Sequence, residues 1–198
     1  MNQAWARLLL GFGFVFTLFQ WTAIRLGSDR GQSGVLVGGL VVVSTLVCEI
    51  LLFRGSAQAA AGRLGLGRTN GKTLALAIGV CLLILATIPV FAWITDASVR
   101  LLPGGLSLLP GLFVQGGIAE EVLFRGYLFG HLRRDRTFWR AAGLSMVPFV
   151  AAHTFLFFTM PWPIASAALL SAAALSFPLA HLSNWARTRS GHRRSCTS

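Results

Sequence analysis

Acidic side chains are scarce in this chain: six Asp and Glu stand against 17 Lys and Arg, and charged residues of both signs make up only 12%. A soluble domain carries about 25% charge. That deficit, with a mean hydropathy of +0.69, excludes an ordinary soluble domain and points to an integral membrane protein. Short alternating apolar segments are also missing. The apolar runs are long and continuous, which excludes a membrane β-barrel and leaves helices. There is no internal repeat and no low-complexity tract. Cysteine is limited to Cys48, Cys81 and Cys196, with no metal-ligand spacing and no disulfide framework. Cys48 and Cys81 lie inside apolar runs and read as small buried apolar residues.

What is present is an all-α pattern: a polytopic transmembrane bundle of about six spans, expected as one compact body. Runs of about 20 residues fall near 7–26, 34–54, 73–95, 106–132, 138–160 and 164–187. The first has no small-x-small cleavage site and carries Phe14, Phe16, Phe19 and Trp21 toward its end, so it reads as a retained helix rather than a secretory signal. The net charge of +11 lies between the apolar runs, which fits flanks facing anionic lipid rather than a nucleic-acid partner. Arg54, Arg63, Arg68 and Lys72 share one loop, Arg133, Arg134, Arg136 and Arg140 another, and Arg187, Arg189, Arg193 and Arg194 the tail. The loop at 96–105 and the Pro-Trp-Pro turn at 161–163 are poor in charge. This alternation predicts both termini in the cytoplasm. The Ala/Gly/Ser-rich stretch at 55–72 is expected to be mobile or a surface helix. Gly34, Gly38 and Gly39 suit close helix packing.

Against this apolar background, Glu120, Glu121 and Arg125 stand together inside one span. Ionisable groups at such depth cost about 2.5–3.5 kcal/mol each, so the default reading is a site. Glu121 and Arg125 are four apart and can pair on one helix face. Glu120 points about 100° away on an α-helix. The next span has one ionisable group, His153. Glu120 lies 13 residues before Arg133 and His153 lies 13 after Arg140, so both sit roughly 20 Å deep from one loop at ~1.5 Å per residue. A carboxylate and an imidazole at one level can activate a water or bind a metal. A Glu–Arg pair can also simply pin helices, and a lone His can simply bond a backbone carbonyl; the shared depth favours the site. His181, six residues before Arg187, reads as interfacial, beside Ser183, Asn184 and Trp185. Phe155, Phe157, Phe158, Trp162 and Trp185 read as lipid-facing or belt positions.

Glu120-Glu121-x-x-x-Arg125 followed by Phe149-x-x-x-His153, with Gly116-Gly117-Ile118-Ala119 before and Gly126-Tyr127-Leu128 after, resembles the first two motifs of the CAAX prenyl protease and bacteriocin-processing (CPBP, or Abi) intramembrane proteases. The resemblance covers about 106–190; residues 1–100 match in general character only, including Arg63-Leu-Gly-Leu-Gly. It implies a membrane endopeptidase, with Glu120 the catalytic carboxylate, Glu121 and Arg125 in a supporting, orienting role, and His153 sharing a water or a metal such as zinc with Glu120. Two protein ligands are few for zinc, which usually has three, so a metal-free water activated by glutamate stays open beside it. The expected surroundings are membrane lipid and a peptide or protein substrate, in a bacterial plasma membrane, with the site open to the cytoplasm. The chain divides into N-terminal helices over 1–105, a catalytic core over 106–190 and a basic tail over 191–198.

The family's later His-x-x-x-Asn motif is not found. His181 and Asn184 are three apart, not four, and at the wrong depth, and after Gly191 the sequence reaches Ser198 with no seventh span. The chain therefore reads as truncated or shortened, and an inactive member is one outcome. Two other readings stay open: a non-catalytic membrane interaction or immunity protein, and a small transporter relaying protons through Glu120 and His153.

Overall fold

In lipid every backbone N–H and C=O must be satisfied within its own segment, so long apolar runs fold as helices. The computed structural model describes residues 3–26, 31–67, 71–96, 98–100 and 103–192, without the side chains of 73 and 185–192. The helices are α1 (Gln3–Leu26), α2 (Gln32–Phe53), α3 (Ala57–Arg63) and α4 (Gly71–Thr95). They are followed by α5 (Gly105–Leu132), α6 (Phe138–His153), α7 (Leu156–Thr159) and α8 (Trp162–His192). Among the described residues there is no strand. Among the described residues six helices are long and apolar enough to cross a membrane, and they fall on the six expected runs. The tail expected over 191–198 continues α8 for two residues; 193–198, with Cys196, Arg193 and Arg194, lie outside the described residues, as do Arg68 and the side chains of Trp185, Arg187 and Arg189.

α5 is the centre of the bundle. Its second half packs against α1, α2, α6 and α8, and every residue from Val122 to Gly130 is buried. Val15 and Phe19 of α1 and Val37 and Val41 of α2 share one buried core with Leu123, Phe124 and Phe129. Phe12 and Phe16 meet the Phe124 ring edge-on at 5.7 and 6.2 Å. α2 reaches α5 backbone to backbone. A Cβ on Gly34 would stand 2.7 Å from Gly111 Cα, and one on Gly38 2.7 Å from Val114 O. Gly39 was expected to share this contact but has open space, because the next residue on a helix turns about 100° from the interface.

Two further expectations need correction. The chain does not pack as one uniform bundle: the most apolar stretch of α4, Leu74–Thr95, has none of its residues buried. Cys81 is accordingly exposed, and Cys48 only half-buried. α4 carries apolar residues around its whole circumference, so its sequence does not distinguish protein contact from lipid contact.

The 55–72 stretch contains the surface helix foreseen as one option. Arg54 ends α2 in the left-handed conformation, which turns the chain back. Ser56 then caps α3 by accepting from Ala59 N–H. At one end of the bundle Arg136 lies over the Trp5 ring at 4.2 Å, and Arg133 donates to Asn184 Oδ1 at 3.2 Å. The start of α1, the start of α6 and the outer part of α8 therefore share that basic end, as alternating spans require.

Candidate functional site

Pro110 has no N–H to continue the helical ladder. Soon after it α5 opens into wide π-helical turns, over Phe113–Ala119 and again over Glu121–Phe129. Glu120 sits between the two stretches. π turns are rare and concentrate at functional sites. Glu120 itself keeps ordinary α torsions, φ -63° and ψ -43°.

The ion pair expected four residues apart is present: Arg125 Nη1 lies 3.3 Å from Glu121 Oε1. Arg125 is buried, whereas the Glu121 side chain is 40% exposed and Glu120 is half-buried. Arg125 interacts electrostatically with both carboxylates. Its guanidinium also stands 4.0 Å over the Phe149 ring of α6, and its Nη2 donates to Ser176 Oγ of α8 at 3.4 Å. The Ser176 hydroxyl gives its own proton to Ala172 O at 2.8 Å, which leaves its lone pairs toward Arg125. One cation thus ties α5, α6 and α8 together beside the two acids.

His153 follows one turn after Phe149, their rings 4.7 Å apart. Its Nδ1 is 2.8 Å from Phe149 O. A carbonyl can only accept, so Nδ1 carries a proton, and in the neutral ring that tautomer leaves the lone pair on Nε2. Pro148 breaks the ladder of α6 just before this point. A groove of about 310 Å³ opens there between α1 and α6, lined by Phe16, Gln20, Pro148, Ala152 and Thr154; the last two flank His153. Among the described residues no hydrogen bond or ion pair joins Glu120 to His153. The structure puts them on adjacent helices, linked through Arg125 and Phe149. His181 is exposed, edge-on to Phe138 at 5.7 Å, and Asn184 serves Arg133.

A zinc ion needs three or more protein donors in one place. Among the described residues no three His, Cys, Asp or Glu side chains gather in that way. The residues present do not fit a zinc site.

Sequence reasoning missed a second charged cluster. Glu49, in the last turn of α2, is fully buried, with its side chain 0% exposed. Arg63 Nε donates to its Oε1 at 2.5 Å, His131 Nε2 lies 2.7 Å from Oε2, and Arg134 lies 3.9 Å away. A carboxylate at a helix C-terminus opposes the dipole, so these neighbours offset both burial and position. The available signal was one acid among six in the chain, close to two strongly basic loops.

Residues 101–193 match the family model described as Rce1-like, type II CAAX prenyl endopeptidase Rce1-like. None of the curated proteins and none of the solved structures gives a match. The matched segment contains all of α5 through α8 and leaves α1 to α4 outside. The part of the chain that carries Glu120, Glu121, Arg125 and His153 is therefore similar to the Rce1-like family of type II CAAX prenyl endopeptidases.

Proposed function

We propose that this chain is an intramembrane endopeptidase of the CAAX type, in which Glu120 activates a water for attack on a peptide carbonyl. The observation that carries this reading is the division between the two acids. Arg125 forms its ion pair with Glu121 and also meets Phe149 and Ser176, while Glu120, half-buried on the neighbouring position, feels the same arginine only through its charge and is the acid assigned to the chemistry. Glu120 takes a proton from water as general base. The hydroxide adds to the carbonyl carbon, and the leaving amine receives the proton back from Glu120 as the C–N bond breaks. His153, its tautomer set by Phe149 O, turns Nε2 toward the same water and orients it. The groove beside His153 is the route by which a polypeptide segment enters from the lipid. Both termini and the mouth of the site face the cytoplasm, on the strength of the basic loops at one end of the bundle; the setting is a bacterial plasma membrane. No step runs through a metal.

The test uses the purified chain in detergent and a fluorogenic farnesylated peptide ending in a CAAX-type tripeptide. Loss of a general base lowers the rate by about 10²–10⁴, so Glu120→Ala abolishes measurable cleavage while the thermal unfolding curve stays in place. His153→Ala does the same to a smaller degree. Cleavage unaffected by either substitution, or absent from the native chain, overturns the proposal. Partner retention by an inactive chain would then favour an interaction or immunity role, and pH-driven flux lost in Glu120→Ala would favour a transporter.

A further inference from the structure

The Glu49 cluster draws on elements far apart in sequence, and its contacts converge on α5. Arg63 reaches it from α3 and His131 from the end of α5. Phe53, the last residue of α2, stacks on the His131 ring at 4.0 Å between centroids. Directly after Arg63, the Leu64 carbonyl lies 2.6 Å from where a Cβ on Gly126 would stand. α3 is thus seated on α5 one residue beyond Arg125. Gly65, at φ +83°, makes this seating possible. Its N–H bonds Gly62 O at 3.3 Å and the Leu66 N–H bonds Ala61 O at 2.9 Å, a closure that ends α3 and leaves Leu64 against α5.

Between these anchors and Glu120, α5 is wound in wide turns over Glu121–Phe129. Such winding is uncommon and usually confined to a single turn, and Val-Leu-Phe-Arg-Gly-Tyr-Leu-Phe at 122–129 has no proline to forbid an ordinary α-helix. Rewinding as α would rotate Glu120 relative to His131. The opposite end of the wide stretch is held by the contacts of Gly34 with Gly111 and Gly38 with Val114. A helix fixed at both ends cannot rewind without breaking one of the two attachments.

We infer that Glu49 is a positioning residue: through His131 and Arg63 it fixes the far end of α5, maintains the wide turns and so sets the direction of Glu120. The consequence for catalysis rests on the peptidase reading; the consequence for helix winding does not.

The experiment places single cysteines by Gly116→Cys or Glu120→Cys in a Cys48→Ala, Cys81→Ala, Cys196→Ala background. It measures their labelling rates with a membrane-impermeant maleimide in liposomes. Glu49→Ala and His131→Gln each change the ratio of the two rates several-fold. Glu49→Gln, which keeps an acceptor for Arg63 and a hydrogen-bonding amide beside His131, restores it toward the native ratio. With Glu120 intact, the first two variants lower kcat by about 10²-fold, the scale expected for a small misplacement of a reacting group, and leave KM within about twofold. A native labelling ratio in folded His131→Gln overturns the inference, and that variant decides the matter if Glu49→Ala fails to fold. A changed ratio in a chain that cleaves no peptide in native form supports the winding role and counts against the peptidase reading.

Discussion

Glu49 and the Glu120–Glu121 pair are buried in the same bundle under opposite conditions. Glu49 has no exposed surface and three basic neighbours, two of them in hydrogen-bonding contact. Glu120 and Glu121 are partly exposed and share the attention of one arginine. Removing a charge from water costs several kcal/mol, offset only where partners are close and well aligned. The Glu49 cluster meets that condition and acts as an anchor. The Glu120 pair meets it by half, and an incompletely satisfied buried acid is where chemistry is expected.

The comparison can be broken most decisively by neutralising one acid from each cluster. Glu120→Gln lowers kcat/KM by about 10²–10⁴ and does not lower the midpoint of unfolding in detergent, since a costly buried group is removed. Glu49→Ala reverses the pattern: stability falls by about 3–5 kcal/mol because Arg63 loses its counter-charge and His131 its hydrogen-bond partner, as read from denaturant unfolding in mixed micelles. If both substitutions destabilise equally, the distinction between anchor and reactive acid is wrong. A smaller effect tests the frame that holds α5. Gly38→Ala pushes a methyl group against Val114 O and costs about 1–3 kcal/mol, whereas Gly39→Ala, with open space around it, stays within about 0.5 kcal/mol. Equal unfolding midpoints for the two would remove the close α2–α5 contact. Ser176→Ala deletes one long hydrogen bond to Arg125. Polar contacts between membrane helices average about 0.6 kcal/mol, so a stability change near that value and a modest loss of activity are expected from the same two assays.

Much of this was legible from residue order. Runs of apolar side chains near membrane length predicted six helices, and six such helices are present among the described residues. The Glu121–Arg125 pair was legible because helical spacing alone makes it. The seat of Gly34 and Gly38 was legible because small residues admit a neighbouring backbone, but Gly39 shows that composition does not say which small residue faces inward. The exposure of Cys81 was not legible, because lipid and protein interior select the same side chains. Nor were the partners of Glu49: Arg63 and His131 are 14 and 82 residues away in sequence, and no local pattern connects them. The wide winding of α5 escaped for a related reason, since Phe113–Phe129 contains nothing that excludes an α-helix and its ends are held by other elements.

Residue order by itself determined that this is a helical membrane protein, where its spans lie and which few ionisable groups they carry. Hydrophobic length and backbone satisfaction in lipid act within each segment and need no partner. Only the tertiary structure decided which acid is fully compensated and which is left partly open, and how α5 is wound between them. Those properties depend on charges and backbone surfaces brought from distant parts of the chain, whose electrostatic and steric effects exist only once the helices have packed.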